Sequence, residues 1–417
     1  MKYAIVGASA AGIACAKELR KNDATGEIDV FTNEAYMPYS RPIISYYLKS
    51  YVEKDKIYLN PEEFYAQHRI NIHTSCPVEG IDSAKKTLTA GGKEYSFDKL
   101  LLATGSVPFV PPVENSEGKE NVFTFLDMAM SEKIKDYADE NTEAVVIGAG
   151  LIGLKAAEGL QKICKSVTVV ELADKVLPSI LDEKGAVMVK KHLEENNISV
   201  MLGNTAVRCE GEGKVTAVTL KSGEKLPCSL LVFAVGVRPQ TALAQSAGIE
   251  VNRGICVDKD TMETSVKDIF AAGDCVNSTD ILDGKEKIIA LWPNAVREGK
   301  TAARYMCGAG EKDEGSFAVN AIDFFGQRIC TCGLINADDA EELLSVKDGS
   351  YKRLLVRDGK LIGFVLIDDN DRAGMYTYLI KTKTPLDTLS GDILETPSFM
   401  MFSKETRTER LTGGVLL

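Results

Sequence analysis

Two glycine-rich turns in matching surroundings constrain this chain more than any other feature. The first is Gly7-Ala8-Ser9-Ala10-Ala11-Gly12 and the second is Gly148-Ala149-Gly150-Leu151-Ile152-Gly153. Each follows a short apolar run, Tyr3-Ala4-Ile5-Val6 and Ala144-Val145-Val146-Ile147, and each opens a helix-like stretch. An acid ends the next apolar run in both cases: Glu34, 22 residues past Gly12, and Glu171, 18 residues past Gly153. Strand, glycine turn, helix, strand and acid, in that order, form the unit that holds a dinucleotide. One copy is a weak signal, because such turns are common. Two complete copies predict two dinucleotide sites and electron traffic between them.

The chemistry behind the pattern is simple. A pyrophosphate needs backbone amides aimed at it and no side chain in the way. Gly7 and Gly148 permit the tight strand-to-helix turn, and Gly12 and Gly153 let helix and strand pack closely. The helix starts, at Ser9, Ala10 and Ala11 and at Gly150, Leu151 and Ile152, then offer free N–H groups and a positive dipole end to phosphate. Ser9 replaces the middle glycine of the first copy, a small departure. An acid about 20 residues on hydrogen-bonds a ribose diol. At Glu171 it also repels the extra phosphate of NADP, and Leu172-Ala173-Asp174 supplies no arginine to receive that phosphate. NADH is the expected ligand.

With 417 residues the chain is expected to form two or three domains with a large core. A net charge of −11 argues against nucleic acid and anionic membranes as partners, though a local basic patch would suffice for an acidic protein. The first strand begins at Tyr3, leaving no room for a signal peptide. Apolar runs such as Leu230 to Val235 stop at Gly236 and Arg238, far short of a membrane span. The ten cysteines include no Cys-x-x-Cys and no metal-binding spacing, so free thiols in a reducing cytoplasm and no metal are expected. Cys330 and Cys332 would face one side of a strand, either as packing or as a ligand or redox pair.

Residues 1–110 alternate strands and helices and end in Leu100-Leu101-Leu102-Ala103-Thr104-Gly105. Pro108, Pro111 and Pro112 mark a crossing into a second unit, residues 111–235, which closes with Leu230 to Val235 and Gly236. Asp268 to Asp274 is a further strand ending in Gly273-Asp274. From about 313, Tyr351 to Val356 and Leu361 to Ile367 read as antiparallel strands joined at Asp358-Gly359. The fold class expected is α/β: two Rossmann-like, three-layer dinucleotide-binding domains plus a smaller C-terminal α+β domain over 313–417.

These residues resemble the pyridine nucleotide–disulfide oxidoreductase superfamily of flavoproteins over essentially the whole chain. Within it the chain looks most like NADH–rubredoxin reductases and the flavoprotein part of NADH-dependent nitrite reductases. The resemblance rests on the Gly7–Gly12 turn with Glu34, Ala103-Thr104-Gly105, the Gly148–Gly153 turn with Glu171, Ala234-Val235-Gly236 and Ala272-Gly273-Asp274. It implies FAD on the first turn and NADH on the second. Asp274 would hold the ribityl–phosphate region of FAD, Val78 would pair with adenine through its backbone, and Trp292 would lie in the segment that approaches the flavin ring. The FAD domain would be 1–110 with 236–312, the NAD(H) domain 111–235, and the tail an interface domain that often forms a dimer in this family.

The deciding segment is Tyr36-Met37-Pro38-Tyr39-Ser40-Arg41-Pro42-Ile43-Ile44-Ser45-Tyr46-Tyr47. Disulfide reductases of the superfamily carry redox cysteines on the corresponding helix, whereas here no cysteine lies between Cys15 and Cys76. The Pro-Tyr-x-Arg-Pro pattern resembles the rubredoxin- and ferredoxin-reductase branch instead. Arg41 would contact FAD phosphates or the flavin edge, or stand as a surface arginine. Ser40 and Pro42 double as ordinary helix-start residues. Lys155 occupies a position where relatives often have a glutamate near the nicotinamide. It either steers that ring or pairs with Glu158.

Hydride transfer from nicotinamide to flavin needs stacking and no protein acid or base, so His68, His73 and His192 are given no catalytic role. The expected activity is an NADH-dependent flavoprotein passing electrons to rubredoxin, a ferredoxin or an iron–sulfur partner subunit. Two alternatives remain. One is an NADH oxidase, peroxidase or disulfide reductase using Cys330 or Cys332. The other is a non-catalytic, NADH-sensing or structural flavoprotein subunit, with which the apolar end Leu411 to Leu417 would also be compatible.

Overall fold

The computed structural model describes residues 1–310, 312, 313, 315–395 and 397–412; the end of the apolar tail lies outside the described residues. Among them are two five-stranded parallel sheets that match over four strands and differ in the fifth, which comes last in chain order in one and first in the other. The first runs Ile70–His73, Glu27–Phe31, Lys2–Val6, Lys99–Leu102, Ile269–Ala271 from edge to edge. The second runs Ile198–Met201, Ser166–Val170, Glu143–Ile147, Leu230–Phe233, Val122–Thr124. In both, the strand before the glycine turn is central, and the strand before the acid pairs beside it, with Val6 opposite Phe31 and Ile147 opposite Val170. Parallel pairing aligns carboxyl ends, so each acid emerges next to its own turn.

Burial on both faces explains the unbroken apolar runs. Tyr3 and Ile5 pack against the helices Ala10–Asn22 and Trp292–Met306, while Ala4 and Val6 pack with Leu88 and Ala90 of an antiparallel meander. Ala144 and Val146 face the helical side of the second sheet, and Val145 and Ile147 face its own meander with Val218 and Leu220. Each unit therefore has three layers, as the sequence predicts.

The chain leaves the first sheet after Leu102 and returns to it only at Ile269. The two crossings run side by side, Ser106–Pro108 pairing antiparallel with Val237–Pro239, and Arg238 stacks 4.0 Å from the Phe109 ring centre. The third sheet is antiparallel, in the order Val319–Phe324, Gln327–Gly333, Lys360–Ile367, Ser350–Arg357, Glu341–Lys347. Asp358 and Gly359 both have positive φ, +50° and +66°, which joins two of its strands by a tight hairpin. One face carries the helix Ala373–Thr382. The other contributes Phe324, Ile329, Tyr351, Val365 and Ile367 to a core shared with both other units through Ile44, Leu48, Leu154 and Val189. The three units are thus welded by apolar contact. No described helix is long and apolar enough to cross a membrane.

Candidate dinucleotide sites and the junction between them

Gly7 and Gly148 have φ of +111° and +110°, a region that penalises any Cβ. A Cβ on Gly12 would stand 1.9 Å from the Gly7 carbonyl oxygen, and one on Gly153 would stand 2.0 Å from that of Gly148. Backbone cannot yield cheaply, so Gly12→Ala is expected to cost about 1–3 kcal/mol of stability and to leave a purified protein depleted of flavin, read by its visible absorbance. Gly150 differs. A Cβ there would meet nothing within 4 Å, so the space ahead of the helix Leu151–Leu160 is open. Neither Ser9 nor Gly150 caps its helix with a side chain, so the first-turn amides remain available to an anion. These cradles fit pyrophosphates.

The acids are in place but already engaged. Glu34 accepts the Tyr39 hydroxyl at 2.6 Å and pairs with the Arg41 guanidinium. The two residues assigned separately to ribose and phosphate therefore form one ion pair, beside a cavity also lined by Ser9, Thr32 and Met37. Arg41 further donates to the Leu126 carbonyl (3.2 Å), and the Tyr39 hydroxyl accepts the Met128 amide (3.1 Å), tying this site to the second unit. Glu171 turns back on its own turn, accepting the Ala149 amide at 2.6 Å and the Ala173 amide at 2.8 Å. A carboxylate has about four acceptor sites, so a ribose diol can still be bound. Pro42 opens a short 3-10 turn as expected, but Ser40 makes no side-chain cap bond.

Asp274 follows the strand Ile269–Ala271. Burial pushes its carboxyl up, against the pull of Arg41 and the Ser106 hydroxyl. Thr104 donates to the Gln240 carbonyl at 2.6 Å, fastening the Thr104-Gly105 turn to the returning crossing; Gly105, Gly236 and Gly273 all have positive φ. Ala103 is buried against Gly7. Cys76 donates its amide to the Thr32 carbonyl (2.8 Å), which lays Cys76-Pro77-Val78 beside the acid of the first site. Trp292 starts the helix Trp292–Met306 and packs on the core that contains Ala10 and Ala11.

Sequence reasoning passed over Cys275, although it directly follows Gly273-Asp274. It is fully buried, its thiol pushed up to about 11 by burial, and its Sγ points at the Leu102 and Ala272 carbonyls. Such a thiol is inert. Cys330 and Cys332 sit in the core of the C-terminal domain, pushed up to about 11 and about 12 by burial. Their position is that of packing residues.

Lys155 points away from its turn. Its ammonium donates to Glu158 Oε2 at 2.6 Å and to the Asp323 carbonyl at 2.9 Å. Glu158 Oε1 pairs with Lys49 and accepts the Phe325 amide at 2.9 Å, while the Tyr46 hydroxyl donates to the Asp323 carboxylate at 3.0 Å. Of the two readings the sequence allows for Lys155, the structure contains the pair with Glu158. Glu158 thereby joins residues of all three units in one buried cluster.

Residues 1–299 match the family model for pyridine nucleotide-disulphide oxidoreductases, and 319–384 match the rubredoxin NAD+ reductase C-terminal domain. The chain belongs to the pyridine nucleotide-disulphide oxidoreductase family. It is 30% identical over 404 residues to the epsilon subunit of NADH-dependent phenylglyoxylate dehydrogenase from Aromatoleum evansii, covering 95% of each chain. It is 32% identical to an assimilatory nitrate reductase electron transfer subunit from Bacillus subtilis, covering 92% of this chain but only 49% of that one. A ferredoxin reductase from Rhodopseudomonas palustris superposes with a TM-score of 0.86 at 26% identity, over 95% of this chain and 98% of the other. As a member of this family the chain is an FAD-dependent oxidoreductase working with NADH, and the two cradles fit those ligands.

Proposed function

We propose that the protein takes reducing equivalents from NADH through FAD and passes them to a small iron–sulfur or rubredoxin-type protein, or to an iron–sulfur partner subunit. The observation that carries the reading is the pairing of two complete nucleotide cradles with a cysteine-free segment at Tyr36–Tyr47. When bound, FAD supplies hydride acceptance from NADH and one-electron release. The chain's part is to bind and orient. The first turn, Glu34, Arg41 and Asp274 hold FAD, and the second turn with Glu171 holds NADH. No side chain is required to move a proton in the hydride step. Residues 1–110 with 236–312 form the FAD domain, 111–235 the NADH domain, and 313–417 the interface domain.

The relatives support the acceptor class. One is a subunit of an NADH-dependent dehydrogenase, and another is an electron transfer subunit whose length this chain half spans. All ten cysteines are free, in keeping with a cytoplasmic setting. The test is anaerobic reduction by NADH, followed by steady-state turnover against rubredoxin, ferredoxin, oxygen and a CoA disulfide. Bleaching of the oxidised flavin band and fastest turnover with an iron protein are expected, unchanged after thiol alkylation. Alkylation that abolished turnover would return the disulfide-reductase reading, and a flavin that NADH leaves oxidised would remove the proposal.

A further inference from the structure

Glu298 lies in the middle of the helix Trp292–Met306 and is 2% exposed, an unusual place for a carboxylate. Its neighbour Gly299 lets this helix press on the first cradle: a Cβ there would stand 2.2 Å from the Ala11 carbonyl oxygen. Glu298 Oε2 accepts the Gly273 amide at 2.9 Å. Oε1 accepts the Ser278 hydroxyl at 2.6 Å and the Ser316 hydroxyl at 3.2 Å, with the Arg297 guanidinium 3.6 Å away. Gly273 belongs to the Gly-Asp turn, whereas Ser316 lies on the segment that leads into the C-terminal domain. Arg297 grips that same segment through Ser316 and through Asp313 at 3.2 Å.

A buried carboxylate is costly unless its acceptor sites are filled. Here three hydrogen-bond donors and the Arg297 charge meet them, and the donor at Gly273 fixes the backbone from which Asp274 projects. We propose that Glu298 is a positioning residue for FAD: it sets the Gly273-Asp274 turn and couples it to the C-terminal linker at Ser316. This rests on the assignment of Asp274 to FAD. The contacts of Glu298 are with the chain itself. Its effect passes through the turn, so losing it weakens the hold on FAD without removing a contact to FAD.

The experiment is FAD titration of flavin-stripped wild type, Glu298→Ala, Glu298→Gln and Ser316→Ala, each checked for folding by circular dichroism. Glu298→Ala is expected to raise the FAD dissociation constant at least tenfold and to shift the bound-flavin absorption band. Glu298→Gln, which keeps an acceptor for the Gly273 amide, is expected to stay within about threefold of wild type. Ser316→Ala should raise the constant severalfold and lower the temperature at which the C-terminal domain comes loose. A folded Glu298→Ala protein with wild-type FAD affinity overturns the proposal. If that variant does not fold, an unchanged constant in Ser316→Ala overturns the coupling to the linker. Wild-type protein that takes up no FAD defeats the cofactor assignment instead, a distinguishable outcome.

Discussion

Replacing Glu158 with alanine is expected to destabilise the protein by about 3–5 kcal/mol, because it strands buried ammonium groups. An exposed ion pair would be worth about 0–1 kcal/mol. The difference is burial: the side chains of Glu158, Lys49 and Lys155 are 2%, 4% and 10% exposed. The pH dependence has a definite sign. Burial pushes Lys49 down and Glu158 pulls it back up, so the variant lowers it further. An unfolded chain then binds more protons than the folded one below the ordinary lysine range, and stability rises with pH there. The deficit against wild type should therefore shrink between neutral and alkaline pH, and Lys49→Met, Lys155→Met, Glu158→Leu in combination should recover most of it. Denaturant midpoints measure all of this. A loss under about 1 kcal/mol at neutral pH would mean the cluster is hydrated and weak.

Gly150→Val is expected to abolish tight NADH binding while leaving the fold intact. The backbone there is extended, φ −78° and ψ −178°, which suits valine, and a Cβ meets nothing within 4 Å. The isopropyl group would occupy the approach to the helix-start amides, where a pyrophosphate must come close. A loss on the order of 100-fold in NADH affinity, about 2.7 kcal/mol, is expected, with FAD content and melting temperature near wild type. Calorimetric titration with NAD+ or NADH reads it. Retained affinity would show that the nucleotide does not lie across this turn.

Gly150 and Glu158 stand at opposite ends of what the sequence discloses. Gly150 was legible because a glycine turn is local: φ, spacing and the following helix are encoded within a dozen residues. The strand, turn and helix at the start of each parallel unit followed from the same short patterns. Glu34 and Glu171 were legible as positions but not as contacts. Their partners, Arg41 and Tyr39 for one and the Ala149 amide for the other, depend on how a strand end meets a turn. Glu158 was legible only through its near neighbour Lys155; its other partners, Lys49 and the Phe325 amide, come from distant segments, and Glu298 went unread because its hydrogen-bond partners Gly273, Ser278 and Ser316 do too. A signal did exist: both sit on otherwise buried helix faces, among Leu154, Ala157 and Leu160 and among Ala295, Ala302 and Met306. An acid on an apolar stripe points to a hidden partner.

The edge strand Ile269–Ala271, hydrogen-bonded to Lys99–Leu102 across some 170 residues of intervening chain, dictates an order of assembly. During synthesis the second nucleotide fold is complete in sequence by Phe233, before the first has received its last strand. A nascent chain therefore presents every strand of the second sheet while the first still lacks its edge strand, so the first sheet can close only after the second is able to pair in full.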